Sequence, residues 1–319
     1  YIVCESWLNE KATNETRGQL LSLYMITNLG GMTAGQLMIS LGQSNSSGLF
    51  LLASIMVSIA VVPILVTAGT APSFEAPDRI SFRRLVQVSP LAVVGMVFVG
   101  IVVSMLFGMG SVYGRSIGLN NTQVGYFMAS ITLGTLALQY PIGRLSDRFD
   151  RRVVIFGVAV IAGIAISIAG FFGVDQFISL FILMLVFGGL LFSLYSLFIA
   201  HANDYLPPSQ MVAMSSGLLM INSAGAVIGS PLAASVIEFV GTRGFMPTIA
   251  GFLFLLAGFV LYRMSMRGAV PAEAQGVFVA IPDASSGVAV NLSPEVEWVM
   301  DQDEDNDEND PFKNNPYVD

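Results

Sequence analysis

The amino-acid sequence predicts an all-α polytopic membrane protein. Of its 319 residues, 54% are hydrophobic and only 11% are charged, whereas soluble domains carry about 25% charged residues. The apolar residues come in runs of roughly 20, which is the length that an α-helix needs to cross a bilayer. The 32 glycines fit the same class, because glycine is more frequent in membrane helices than in soluble ones.

Run lengths and helix breakers predict one partial helix and eight full spans. The partial helix covers residues 1–8, and the polar loop NEKATNET follows it. The loop SLGQSNSSG separates the first two full spans, and the long polar segment TAGTAPSFEAPDRISFRRLVQVS separates the second from the third. The full spans are expected at residues 16–39, 48–68, 89–112, 122–142, 153–172, 177–200, 209–234 and 245–265.

The last segment, residues 266–319, has a different composition. It contains 12 acidic and 2 basic residues and carries a charge of −10, while residues 1–265 contain 10 acidic and 12 basic residues and carry +2, which together give −8. A stretch such as DQDEDNDENDPFKNNPYVD cannot bury an apolar core, so this tail is expected to be disordered. Within it, VFVAI at residues 277–281 has the composition of a short strand.

Lysine and arginine concentrate in alternate loops, which predicts the orientation of the chain. The loop set that begins after the partial helix holds 11 of these residues, and the opposite set holds two, Arg115 and Arg243. Because positively charged loops stay in the cytoplasm, the tail is expected to be cytoplasmic. The 11 residues are Lys11, Arg17, Arg79, Arg83, Arg84, Arg144, Arg148, Arg151, Arg152, Arg263 and Arg267.

The chain repeats itself at an offset of 194 residues, the separation of Tyr1 from Tyr195 (195 − 1 = 194). Three predicted spans, beginning near Pro90, precede the helix that holds Tyr195, so the repeat predicts roughly 100 further residues before Tyr1. The expected whole has two pseudo-symmetric halves of six helices. The matched pairs include Asn9 with Asn203, Glu10 with Asp204, Asn28 with Asn222, Gly31 with Gly225 and Gly35 with Gly229.

Parallel repeats of two six-helix halves are the architecture of the major facilitator superfamily. The loop GRLSDRFDRRVVI at residues 143–155 resembles that superfamily's signature, Gly-x-Leu-x-Asp-Arg-x-Gly-Arg-Arg. Asp150 replaces the second glycine, and Asp tolerates the left-handed backbone conformation better than most residues. With VCESWLNEKATNETRG, the chain resembles a bacterial branch of the superfamily, the YcaD-like permeases. The matching signature residues are Gly143, Leu145, Asp147, Arg148, Arg151 and Arg152.

The resemblance implies a major facilitator fold that lacks about three N-terminal helices. Residues 1–68 are then the remainder of the N-terminal half, and residues 69–88 are a cytoplasmic linker between the halves. Residues 89–265 are the C-terminal half, and residues 266–319 are the tail.

Two interpretations of the signature loop remain open. In the superfamily the loop's Asp docks on a helix of the other half, which here implies that Asp147 latches onto the helix beginning near Thr16 and pairs with Arg17. Gly143 lets the chain leave its helix, and Arg148, Arg151 and Arg152 complete the gating motif. Alternatively, the arginines of this loop only fix the orientation of the chain.

A few other residues inside the predicted spans are functional candidates. Two glycine pairs, Gly31 with Gly35 and Gly225 with Gly229, allow close helix packing, either at the seam between the halves or within one half. Buried polar residues mark substrate paths by default, although each can instead form a bond between helices. The candidates for a central cavity are Asn28, Asn222, Gln139 and Tyr126.

Glu5 is the carboxylate that lies clearly within an apolar run. Partial burial favours the neutral carboxyl, so Glu5 is a candidate for proton coupling. The competing interpretation is an interfacial Glu that reaches water or pairs with Lys11 or Arg17. Ile199 is its counterpart in the repeat, so this carboxylate breaks the symmetry of the two halves.

These patterns favour a secondary transporter of a small solute that works by alternating access in the bacterial inner membrane. A single Cys4 and a single His201 leave no cysteine or multi-histidine metal site, and no cofactor is expected. No phosphate-binding loop for ATP is present, and the clustered histidines and acids of a lipid enzyme are missing. The alternative is a transporter-like scaffold or sensor without flux. The expected partners are the bilayer, a small solute and, under proton coupling, protons; the expected state is a monomer that binds no nucleic acid.

Overall fold

The computed structural model describes residues 8, 17–39, 47–66, 81–206, 208–266 and 278, and no strand occurs among them. Each of the eight predicted full spans is a helix, and a short helix lies at the end of the predicted linker. Of the predicted partial helix, Leu8 is described, and it is helical. The helices are α1 (Arg17–Met38), α2 (Gly48–Val66), α3 (Phe82–Val88), α4 (Pro90–Ser116), α5 (Asn121–Ser146), α6 (Arg151–Ala169), α7 (Phe177–Asn203), α8 (Pro208–Phe239) and α9 (Phe245–Met266).

Local capping signals set several of the helix ends. Ser89 accepts a hydrogen bond from the backbone N–H of Ala92 at the start of α4, and Pro90 occupies the first position of that helix. Asn120 and Gln123 form a reciprocal capping box at the start of α5. Between these helices, Gly118 has a φ of 94°, a conformation that favours glycine. Helix α4 therefore runs to Ser116, a few residues beyond its predicted end.

Five helices in the described part of the chain are long and apolar enough to cross a membrane: α4, α6, α7, α8 from Gln210 and α9 with its preceding turn from Thr242. Helix α2 is apolar over a shorter stretch, Gly48–Pro63. Helices α1 and α5 are the least apolar of the long helices, because residues such as Asn28 and Gln139 interrupt them.

The buried core lies among α4 to α9 and is packed through small residues. Helix α4 packs on α8, where a Cβ at Gly225 or Gly229 would meet the backbone of Val97 or Ile101. Helix α5 packs on α7 in the same way, with Gly134 against the backbone of Leu185. Small residues let membrane helices approach closely, so these two pairs form the framework of the predicted C-terminal half.

Helix α1 joins this framework through α5. The hydroxyl oxygens of Thr33 on α1 and Thr132 on α5 are 2.9 Å apart and share a hydrogen bond. Both residues are buried, with Thr132 fully so. In contrast, most side chains of α2 are exposed, including Phe50 and Leu65.

Candidate functional site

The signature loop is a short turn between α5 and α6 with an Asp at each end. Asp147 caps the C-terminus of α5, and Asp150 caps the N-terminus of α6, where its carboxylate accepts from the backbone N–H of Arg152. Asp150 has a φ of −51° and a ψ of 115°. The left-handed conformation considered for this position is therefore not used, and the departure from the signature glycine supplies a helix cap instead.

Asp147 accepts one hydrogen bond from a distant residue of the chain and lies near one arginine of its own loop. Its Oδ1 atom accepts the backbone N–H of Phe278 at 2.8 Å and lies 3.6 Å from a guanidinium nitrogen of Arg151. The side chain keeps 28% exposure. The predicted partner Arg17 begins α1, but its side chain lies outside the described residues.

Arg151 is buried, at 1% exposure, and ties three helices together. Its Nε donates to Ser146 Oγ at the end of α5, at 2.9 Å. One of its terminal nitrogens forms an ion pair with Asp204 at the end of α7, at 2.5 Å. A charge at this depth needs such partners, because an unpaired buried ion is strongly destabilising.

The other arginines of the motif have different surroundings. Arg152 pairs with Asp150, with a nitrogen–oxygen distance of 2.8 Å. Burial raises the pKa of the Asp150 carboxyl, but the hydrogen bonds and charge of Arg152 together lower it by more than burial raises it. This pKa therefore lies below its ordinary value. Arg148 is exposed, and the Arg144 guanidinium stacks 4.7 Å from the centre of the Tyr140 ring.

Two of the four cavity candidates bond neighbouring helices. The Gln139 side-chain amide donates to Ser196 Oγ at 2.9 Å, which joins α5 to α7. The Asn222 amide donates to the carbonyl oxygen of Met96 at 3.2 Å, which joins α8 to α4. Both side chains are buried. These contacts give each residue the structural role that the sequence left as an alternative.

The other two candidates differ from each other in exposure. The Asn28 side-chain oxygen is buried and has no hydrogen-bond partner among the described residues. Tyr126 is 45% exposed. A small cleft is lined by Arg152, His201, Tyr205 and Arg263, among others, and by none of the four candidates.

The two glycine pairs occupy unlike places although they match in the repeat. Gly225 and Gly229 lie against the backbone of α4, inside the predicted C-terminal half. No described atom lies within 4 Å of a Cβ built at Gly31 or Gly35. Glu5, the proton-coupling candidate, lies outside the described residues.

Three contacts in the structure were not predicted from the sequence. The sequence contains a feature that marks Asp204 as a candidate, because it is an acid at the end of an apolar helix and matches Glu10 in the repeat. The sequence also marks Phe278, since VFVAI is an apolar stretch in an acidic tail. No feature of the sequence indicates the contact of Thr33 with Thr132, because a threonine in a helix commonly bonds to its own backbone.

Comparisons with known proteins agree with this architecture. A sequence profile described as Major Facilitator Superfamily matches residues 92–289. Relatives named "Uncharacterized MFS-type transporter YcaD" include the Escherichia fergusonii protein, which is 28% identical over 260 residues, 80% of this chain and 67% of the relative. Those of Shigella flexneri serotype 5b and Escherichia coli K12 are each 30% identical over 240 residues, 75% of this chain and 62% of the relative.

The chain thus spans about two thirds of the length of these relatives. The profile covers more than half of the chain, and it includes the signature loop and the helices that hold its buried partners. The all-helical fold and the apolar spans agree with it. The chain therefore belongs to the Major Facilitator Superfamily and is similar to its YcaD-like transporters.

Proposed function

We propose that this protein is a membrane transporter that moves a small solute by alternating access, with two helical halves rocking against each other. The observation that carries the proposal is the junction of α1 with α5, which belong to different halves in the predicted repeat. These two helices are the least apolar of the long helices, and they contact each other. Polar groups in membrane helices face the bundle interior or a water-filled cavity, as a solute path requires.

The hydrogen bond across this junction can open at little cost. Each hydroxyl carries one proton. Thr33 also lies 2.8 Å from the carbonyl of Leu29, and Thr132 lies 3.0 Å from that of Ala129. When the helices separate, both hydroxyls can donate to their own helix, so neither proton is left without an acceptor. Such bonds between membrane helices contribute about 0.6 kcal/mol on average, which a rocking motion can lose and regain.

Asp147 supports a latch at one end of the same junction. At about 1.5 Å per residue, the distance from Thr132 to Asp147 along α5 is about 23 Å, and that from Thr33 to Arg17 along α1 is about 24 Å. In the antiparallel arrangement that the predicted topology requires, Asp147 and the start of α1 reach the same end, which the loop charges assign to the cytoplasm. A carboxylate complements the free N–H groups and the positive dipole of a helix start.

The interior chemistry favours a solute without strong charge. Asn28 and Tyr126, for which the described residues show no bond between helices, are uncharged. Bacterial relatives and the apolar helices support a multi-pass protein of the bacterial inner membrane, and membership of a transporter superfamily supports a non-enzymatic role.

A reversible link between the halves tests the proposal. The variant Thr33→Cys with Thr132→Cys, in a Cys4→Ser background, is reconstituted into liposomes, and uptake of a panel of small solutes is driven by an ion gradient. We expect oxidation of the cysteine pair to abolish most of the flux and reduction to restore it, because the junction can no longer open.

The matched control links two helices of the same half. Ser104 on α4 and Ser230 on α8 have hydroxyl oxygens 2.8 Å apart, so Ser104→Cys with Ser230→Cys should oxidise equally well and leave the flux unchanged. Full flux through the oxidised Thr33–Thr132 variant would contradict rocking at this junction. Absence of flux for every solute in the unmodified protein would favour the scaffold or sensor.

A further inference from the structure

A residue of the acidic C-terminal segment occupies the signature loop. Phe278 is the residue of 267–319 that the structure describes, and it lies outside regular secondary structure. Its backbone N–H donates to Asp147 Oδ1 at 2.8 Å, and its half-buried side chain packs against the apolar core. The loop is therefore already in contact with a residue from another part of the same chain.

Gly143 on α5 makes room for the Phe278 ring. A Cβ at Gly143 would overlap the ring, meeting its Cδ1 and Cε1 atoms first. The positive-φ glycines of the described chain are Gly118 and Gly241, so the backbone conformation of Gly143 does not itself require glycine. Instead, the absence of a side chain at Gly143 leaves space for the Phe278 ring. This space lies beside the Asp147 carboxylate, which accepts the backbone N–H of Phe278.

Charge and chain length favour docking within one molecule. Residues 266–319 carry a charge of −10, and the signature loop at residues 143–155 holds four arginines and two aspartates, a net charge of +2 (4 − 2 = 2). Net charges of opposite sign raise the local concentration of the tail at the loop. Phe278 lies 12 positions beyond Met266 (278 − 266 = 12), the end of α9, and a chain of that length can span up to about 40 Å.

We propose that the segment carrying Phe278 is an autoinhibitory element of the transporter. When docked, its backbone N–H binds one of the two Asp147 carboxylate oxygens, and the Phe278 ring covers the face of α5 at Gly143, where the start of α1 approaches in the latched state. Docking of the tail and latching of the halves therefore exclude each other, and release of Phe278 permits the latch. This inference rests on the proposed function, because the latch is part of that function.

Proximity of the two halves tests the competition without measuring transport. Cysteines are placed next to the two latch residues, as Gly18→Cys and Arg148→Cys in a Cys4→Ser background, and a short bismaleimide cross-linker is applied. We expect Phe278→Ala to raise the rate of cross-linking about tenfold, the change that corresponds to losing the partial burial of one aromatic ring. Phe312→Ala removes another tail phenylalanine and should leave the rate unchanged.

Solute flux provides the second measurement, in liposomes and without the added cysteines. Phe278→Ala should increase the initial flux, while Phe312→Ala should not. An unchanged cross-linking rate overturns the inference whatever the flux, and a raised rate with unchanged flux overturns autoinhibition while leaving transport intact. A raised rate with no flux in any variant supports the competition and contradicts the proposed transport instead.

Discussion

Arg151 shows how a residue of a gating motif can also hold the fold together. The sequence predicts it as part of the gate, and the structure places it at 1% exposure, bonded to Ser146 and paired with Asp204. Asp204 is 53 residues away in the chain. No local pattern identifies which acid an arginine will meet across such a distance, so the motif was visible in the sequence and its partner was not.

Removing the charge of Asp204 should therefore destabilise the whole bundle. In Asp204→Asn the shape is kept, but Arg151 is left buried without its counter-ion, and breaking a buried pair costs about 3–5 kcal/mol. We expect a clearly lower midpoint of thermal unfolding in detergent. Asp175→Asn, at an exposed position before α7, should leave that midpoint unchanged.

A double variant separates the charge effect from loss of packing. Replacing both partners, as Arg151→Met with Asp204→Leu, removes the unpaired ion, so much of the stability should return. If the double variant is as unstable as Asp204→Asn, the pair acts through shape and hydrogen bonding, and the electrostatic account is wrong.

At the scale of helices, the ends follow from signals that lie close together in the sequence. Ser89 with Pro90, and Asn120 with Gln123, act over three residues or fewer, so the eight spans could be placed to within a few residues. The contacts between helices have no such local cause. The glycine pairs illustrate the difference, because Gly225 and Gly229 lie against α4 while Gly31 and Gly35 meet no described atom, although the pairs match in the repeat.

Gly134 should tolerate alanine poorly, since a Cβ there would meet the backbone carbonyl of Leu185 on α7. Backbone cannot move aside as a side chain can, and overpacking of this kind costs about 1–3 kcal/mol. Gly157 on α6 is the matched control, because no described atom lies within 4 Å of its added Cβ and alanine is the better helix former. We expect Gly134→Ala to lower the unfolding midpoint in detergent and Gly157→Ala to maintain or raise it. Equal midpoints for the two variants would mean that α5 and α7 are not in close contact.

At the scale of the whole molecule, the repeat relates positions whose environments have diverged. Asn222 donates to the carbonyl of Met96, whereas its counterpart Asn28 has a buried oxygen without a partner among the described residues. The two predicted halves therefore differ in at least this pair of interior polar groups. An alternating-access transporter needs such a difference wherever one half binds the solute or the coupling ion and the other supplies packing.

Glu5 breaks the symmetry of the predicted repeat and is the candidate for proton coupling. Its counterpart in the predicted repeat, Ile199, lies in α7 at 2% exposure, and we propose a similarly shielded position for the Glu5 carboxyl, which lies outside the described residues. A buried carboxyl must bind or release a proton as its surroundings change, because burial disfavours the charged form. In the full-length protein, Glu5→Gln should therefore lose uptake driven by a proton gradient and keep solute exchange, measured in liposomes with and without an imposed pH difference. If Glu5→Gln keeps the pH dependence of the unmodified protein, Glu5 is an interfacial residue and the coupling group lies elsewhere.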